Sequence, residues 1–139
     1  MTDNSTETIV SAEEMSEIFG EPISCYTREE AIEDGVLVDA QVGDFQEVTR
    51  QHLGACPCVM TPEVFALIEQ AVLHPKHGND WAGVWHDILW MLAVQRRPLT
   101  LGERRRARVI ITGTGRRKIH QLDAVFDGEA VTVLLPGED

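Results

Sequence analysis

Two hydrophobic periods divide this chain at Gly102, and that switch constrains the fold more than any single motif. Before it, apolar residues recur every three or four positions, the spacing of one helix face. Trp81, Trp85, Ile88, Leu89 and Leu92 form the broadest such stripe, starting after Asn79 or Asp80 and ending before Pro98. Thr61-Pro62-Glu63 opens another helix, an N-cap followed by proline at the first helical position. Phe65, Leu67, Ile68, Ala71 and Val72 continue it to His74-Pro75, and Phe45, Val48 and Leu53 mark a shorter helix stopped by Gly54. After Gly102 the period becomes two. Val109 and Ile111 share one strand face, then Leu122, Ala124 and Phe126, then Val131, Val133 and Leu135, with turns at Gly113-Thr114-Gly115 and Asp127-Gly128. Helices first and strands last predict an α+β fold, with several short helices packed on a C-terminal three-stranded antiparallel meander.

The N-terminal third is read from its caps. Residues 1–10 are polar and are expected to form a disordered arm, ahead of one α+β domain over 11–139. Ser11-Ala12-Glu13-Glu14 fits a capping box, with Met15, Ile18 and Phe19 on one side of a helix ended by Gly20. Thr27 with Glu30 makes a second box, and Asp34-Gly35 supplies the stop. Val36-Leu37-Val38 then has the β-branched bias of a buried extended segment. A length of 139 residues, 43% apolar and 25% charged, suits one globular domain. Three cysteines argue against a disulfide framework and for a reducing compartment. The longest apolar run, Ile88 to Val94, is far short of a membrane span, and Met1-Thr2-Asp3-Asn4 lacks the features of a signal peptide. The expected location is cytoplasmic, without membrane contact.

Tyr26-Thr27-Arg28, Ala31, and Asp34-Gly35-Val36-Leu37-Val38-Asp39 together resemble a motif of a family of small bacterial proteins found on plasmids, phages and other mobile elements. The resemblance continues at Pro57-Cys58-Val59-Met60-Thr61-Pro62, at Trp85-His86-Asp87-Ile88-Leu89-Trp90-Met91-Leu92, and at His120 to Phe126 and Val131 to Pro136. It implies an accessory role in transfer, maintenance or defence evasion, and it implies no catalytic residue or cofactor. The helix, glycine stop and strand of the motif read as fold-specifying, leaving Tyr26, Arg28 and Asp39 as the positions whose side chains are available to a site.

Chemistry is sparse elsewhere. His52, Cys56, Cys58, His74 and His77 are the candidate metal cluster, but Cys-x-Cys is not the usual zinc knuckle, and small buried thiols explain the pair as well. Serine or cysteine nucleophiles with a histidine base have no local signature here. Gly113-Thr114-Gly115-Arg116-Arg117-Lys118 lacks the spacing and ending of a phosphate loop. No catalytic residue, metal or cofactor is therefore assigned, and the chain is expected not to be an enzyme.

Charge is the remaining signal. The net charge is −11, yet residues 1–48 carry −12 and residues 103–119 carry +6. The leading expectation is a non-enzymatic protein-binding module whose Glu13, Glu14, Glu29, Glu30 and Glu33 engage a basic surface. One version of this expectation is an inhibitor of a host defence complex, of the anti-CRISPR or anti-restriction kind, that occupies a nucleic-acid-binding groove. The alternative is a nucleic-acid-binding accessory factor using the basic hairpin at 104–118, with Arg104, Arg105, Arg106, Arg116, Arg117 and Lys118 as its contacts. Against it stand the negative field of the whole chain and the lack of an exposed aromatic interleaved with those bases. Trp81 and Trp85 fit a core stripe; Trp90, offset from it, is the tryptophan expected at the surface.

Overall fold

The computed structural model describes residues 27–138. The predicted arm, the first capping box with Glu13 and Glu14, and Tyr26 lie outside them. The chain separates after Ala31 into two units, and all packing described below belongs to the second, Ile32–Asp139.

Four helices and five strands are formed among the described residues. Helix α1 (Arg28–Glu33) begins with the expected capping box: the Glu30 amide donates to Thr27 Oγ1, and the Thr27 amide donates to Glu30 Oε1, both at 3.0 Å. Strand β1 is only Val38–Asp39, and Val36, expected to be buried, is 53% exposed. Asp39 closes a turn, its Oδ1 accepting from the Gln41 amide at 2.8 Å. A short 3-10 turn, Gly43–Phe45, leads into α2 (Gln46–Leu53). Strand β2 (Cys58–Met60) runs into α3 (Pro62–Leu73), capped by Thr61 as expected, and α4 is Trp81–Leu92. Strands β3 (Arg104–Ile110), β4 (Ile119–Phe126) and β5 (Val131–Leu134) complete the chain. No helix among the described residues is long and apolar enough to cross a membrane.

The sheet is larger than the expected meander. Its order is β1-β2-β5-β4-β3. The antiparallel pairs β3–β4 and β4–β5 are joined by a parallel pair, β2–β5, and an antiparallel pair, β1–β2, so the sheet is five-stranded and mixed. Strand β2 has no alternation to betray it, because Cys58, Val59 and Met60 are all buried. A short apolar run of that kind cannot be told by period from the lead-in to a helix.

Helices cover one sheet face. Cys58, Met60, Ala107, Val109, Leu122, Ala124, Val131 and Val133 join Val64, Ile68, Ala71, Trp85, Ile88, Leu89 and Leu92 in one core. Phe45 packs edge-on against Trp81 and Trp85 at 5.7 and 5.8 Å, and Phe65 stacks on Trp81 at 5.1 Å. Burying the Trp85 indole requires a partner for its N–H. Thr49 on α2 supplies it: Trp85 Nε1 donates to Thr49 Oγ1 at 2.9 Å, and that hydroxyl donates to the Ala40 carbonyl at 2.5 Å. One hydroxyl thereby joins α4, α2 and the segment after β1. Thr49→Val keeps the shape but leaves a buried donor and a buried acceptor unpaired, so it should destabilise the fold by about 3 kcal/mol, measured as a lowered urea midpoint with an unchanged slope.

Candidate nucleic-acid interface

Strand alternation sorts the arginine run. Arg105 lies in phase with Ala107 and Val109 and is buried, whereas Arg104, Arg106 and Arg108 face the other side with Ile110. In the β3–β4 register Arg106 stands opposite Asp123, Arg108 opposite Gln121 and Ile110 opposite Ile119.

The first three arginines are committed to the fold. Arg105 Nη1 donates to the carbonyls of Leu92, Ala93 and Arg97, and Nη2 donates to that of Pro98. Its Nε reaches Glu103 Oε2 at 3.0 Å. It closes the end of α4, where cations are favoured. Arg104 and Arg106 converge on Asp123, which is 0% exposed: Arg104 Nε donates to Oδ2 at 2.6 Å, and Arg106 donates through Nε at 2.8 Å and Nη2 at 3.1 Å. Each of these three guanidiniums, offered to nucleic acid by the sequence, is thus engaged by the protein's own acceptors; Arg105 is buried, while the Arg104 and Arg106 side chains stay 36% and 52% exposed. The alternation that buries Arg105 was present in the sequence; the partner Asp123 required the strand register.

The other half of the basic segment is differently placed. Among the described residues, Arg108, Arg116, Arg117 and Lys118 form no ion pair. Arg116, Arg117 and Lys118 are exposed on the β3–β4 turn. Arg108 and Arg117, with Ile119, His120, Gln121, Leu135 and Pro136, line an open groove of about 630 Å³. His120 and Gln121 are lining residues that sequence reasoning missed, because only the hairpin pairing brings them beside the bases.

The turn carrying these cations is held from several sides. Thr114 Oγ1 lies 2.9 Å from the Arg117 carbonyl and 2.9 Å from His120 Nε2. Burial depresses the basicity of the His120 ring. Asn79 Nδ2 donates to the Ala71 carbonyl at 3.2 Å and to the Thr112 carbonyl at 3.0 Å, tying the turn to the end of α3. Gly113, at φ +88°, passes so close that a Cβ there would stand 3.0 Å from His74 Cβ and 3.2 Å from the Ala71 carbonyl oxygen. Any other side chain would need both a strained backbone and a shifted helix end.

The candidate metal residues are not brought together. His52 and Cys56 line one cavity, of about 220 Å³, while His74 pairs with His77 at a ring separation of 4.6 Å. Cys58 is buried in β2, where burial pushes its thiol far up. No group of three metal-ligating side chains forms among the described residues. His52 is buried with Nδ1 unpaired, and burial, aided by the neighbouring His86, lowers its basicity. Of the acidic set, Glu29, Glu30 and Glu33 are exposed on α1, with Glu30 used in the capping box. Comparison of the chain with family models, curated proteins and solved structures finds no match.

The arginine clamps make the stability of the fold depend on pH, with part of it lost in acid. Hydrogen bonds from Arg106, then Arg104, hold the Asp123 carboxyl below its ordinary range. The Thr100 amide and Arg105 hold that of Glu103 down at about 2. Both groups titrate lower in the folded than in the unfolded chain, so their contribution is complete above the usual carboxylate range of ~4 and is withdrawn as pH falls through the depressed values. Urea denaturation between pH 7 and 2 should show this late acid loss. Asp123→Asn should lower the midpoint at pH 7 and reduce the difference between pH 7 and pH 2.

Proposed function

We propose that this protein is a non-enzymatic accessory factor that binds nucleic acid through the groove on the β3–β4 hairpin. The observation that carries this reading is that Arg108, Arg116, Arg117 and Lys118 form no ion pair with the described residues of an acidic chain. Like-charged side chains repel one another, and an array of cations without partners among the described residues is stabilised by a polyanion that releases counterions on binding. The polar lining of the groove is arginine, histidine and glutamine, with no carboxylate among the lining residues, which suits an anionic ligand. The negative charge elsewhere opposes non-specific coating and confines a polyanion to this one surface. The resemblance to mobile-element proteins supports an accessory role beside nucleic acid that is being moved or maintained.

A second reading keeps the acidic half as the working surface. The exposed carboxylates of Glu29, Glu30 and Glu33 on α1 favour it, together with Glu13 and Glu14 from the same −12 segment. Here the protein occupies a basic surface on a host complex, as an inhibitor of defence systems does. The two readings respond oppositely to mutation, because neutralising those five glutamates abolishes the second and strengthens the first.

Fluorescence anisotropy with a labelled oligonucleotide separates them. Four phosphate contacts give a slope of about −3 in log affinity against log salt for a single strand, hence roughly a 50-fold loss between 50 and 200 mM. Replacing Arg116 and Arg117 by alanine should weaken binding and make that slope shallower by about 1 to 2. No binding at 50 mM salt removes the nucleic-acid reading.

A further inference from the structure

Helix α4 brings an exposed tryptophan next to the basic groove. Trp90 is 46% exposed although it sits among the core residues Leu89 and Leu92 of the same helix. With Asp87, Met91, Arg108, Val109, Ile110 and Ile119 it lines a second cavity, of about 420 Å³. Arg108 and Ile119 line both cavities, so the basic groove and the apolar one adjoin. Met91, Ile110 and Ile119 are themselves 48%, 67% and 53% exposed, an unusual grouping of large apolar side chains at one place. The indole is already oriented: the Arg96 guanidinium lies 4.7 Å from its ring centre, Arg96 Nη2 donates to the Trp90 carbonyl at 3.1 Å, and His86 lies within 19° of parallel to it at 6.0 Å.

We infer that the ligand is single-stranded, with its phosphates along Arg108, Arg116, Arg117 and Lys118 and an unpaired base laid against Trp90 in the adjoining cavity. The inference rests on the nucleic-acid reading and deepens it. Cations alone attract single strands and duplexes alike. What separates the two is the availability of a base face, which a duplex keeps inside its own stack. A cationic track beside an exposed aromatic is the arrangement that binds single strands with little regard to sequence. The apolar floor of Met91, Ile110 and Ile119 suits the flat face of a base, and Arg96 on the indole adds positive charge where the strand would pass. A wholly acidic peptide satisfies the cations but leaves this apolar surface uncovered. Among the described residues Asp87 is the one carboxylate lining the cavity, and it works against a phosphate.

The test uses a labelled 20-nucleotide thymidine oligomer and a duplex of the same length, titrated at 50 mM salt, with anisotropy and intrinsic tryptophan emission read together. The single strand is expected to bind at least about tenfold tighter than the duplex and to quench emission, because Trp90 is the most exposed of the three tryptophans. Trp90→Ala should cost the single strand roughly tenfold, leave the duplex unchanged and abolish the quench, with Trp90→Phe restoring part of the affinity. Asp87→Asn, a surface change away from the core, should strengthen single-strand binding, which keeps the test decisive if Trp90→Ala lowers stability. Single-strand affinity that is indifferent to Trp90→Ala and Asp87→Asn, yet lost when Arg116 and Arg117 become alanine, overturns the inference and leaves the nucleic-acid reading standing. No binding of either oligomer removes the reading itself and the inference with it. Displacement of the single strand by polyglutamate at matched charge overturns both.

Discussion

Arg105 ties the last turn of α4 to the first strand of the hairpin through one buried guanidinium. Its donors are shared among four backbone carbonyls, from Leu92 to Pro98, and the carboxylate of Glu103. The Leu92 carbonyl belongs to the last turn of α4, whose acceptors have no intrahelical partner, while that of Ala93 also accepts from the Arg97 amide at 2.9 Å. The same contacts accompany Ala93 in the left-handed conformation at φ 59°, which lets the chain turn sharply out of α4. A residue with a Cβ pays for that conformation by about 1 kcal/mol, and the hydrogen bonds around it outweigh the cost. Trp90 and Arg96, on either side of Ala93, take their positions beside β3 from this joint. Lysine at 105 could not serve it, because three donors on one nitrogen cannot spread over that arc of acceptors.

Around this joint the charge of the hairpin is divided into two kinds. Asp123 absorbs Arg104 and Arg106 on the outward face of the sheet, and Glu103 absorbs Arg105 together with an exposed contact from Arg97. Two carboxylates therefore settle the three consecutive arginines that stand out most in the sequence. The less conspicuous set, Arg108 and the turn cations, forms no ion pair among the described residues. A run of like charge is a poor guide to a binding surface when strand alternation sends its members to opposite faces.

Much of the fold was legible residue by residue. The Thr27 and Thr61 caps, the glycine stop after α2 and the hairpin at Asp127-Gly128 follow from contacts within a few residues, and the α4 stripe follows from its helical spacing. Strand β2 and its parallel pairing to β5 were not legible, because Cys58 and Val131 are far apart in sequence and no local pattern announces their pairing. The site divides the same way. The exposed bases of the turn and the outward placement of Trp90 could be read from the chain. That Arg104 and Arg106 share Asp123, and that Trp90 adjoins Arg108, are facts of tertiary register that a linear reading has no means to supply.

The glycine at 113 carries a consequence for how such a surface changes over generations. Its close passage over Ala71 and His74, with Asn79 bonding beside it, fixes the frame of the turn through small, uncharged groups. The charged tips at 116, 117 and 118 contribute nothing to that frame. Substitutions there alter what the surface attracts without unsettling the fold, so binding preference and foldability can drift independently on this hairpin. Mutational robustness is concentrated in the frame, and evolvability in the three side chains it displays.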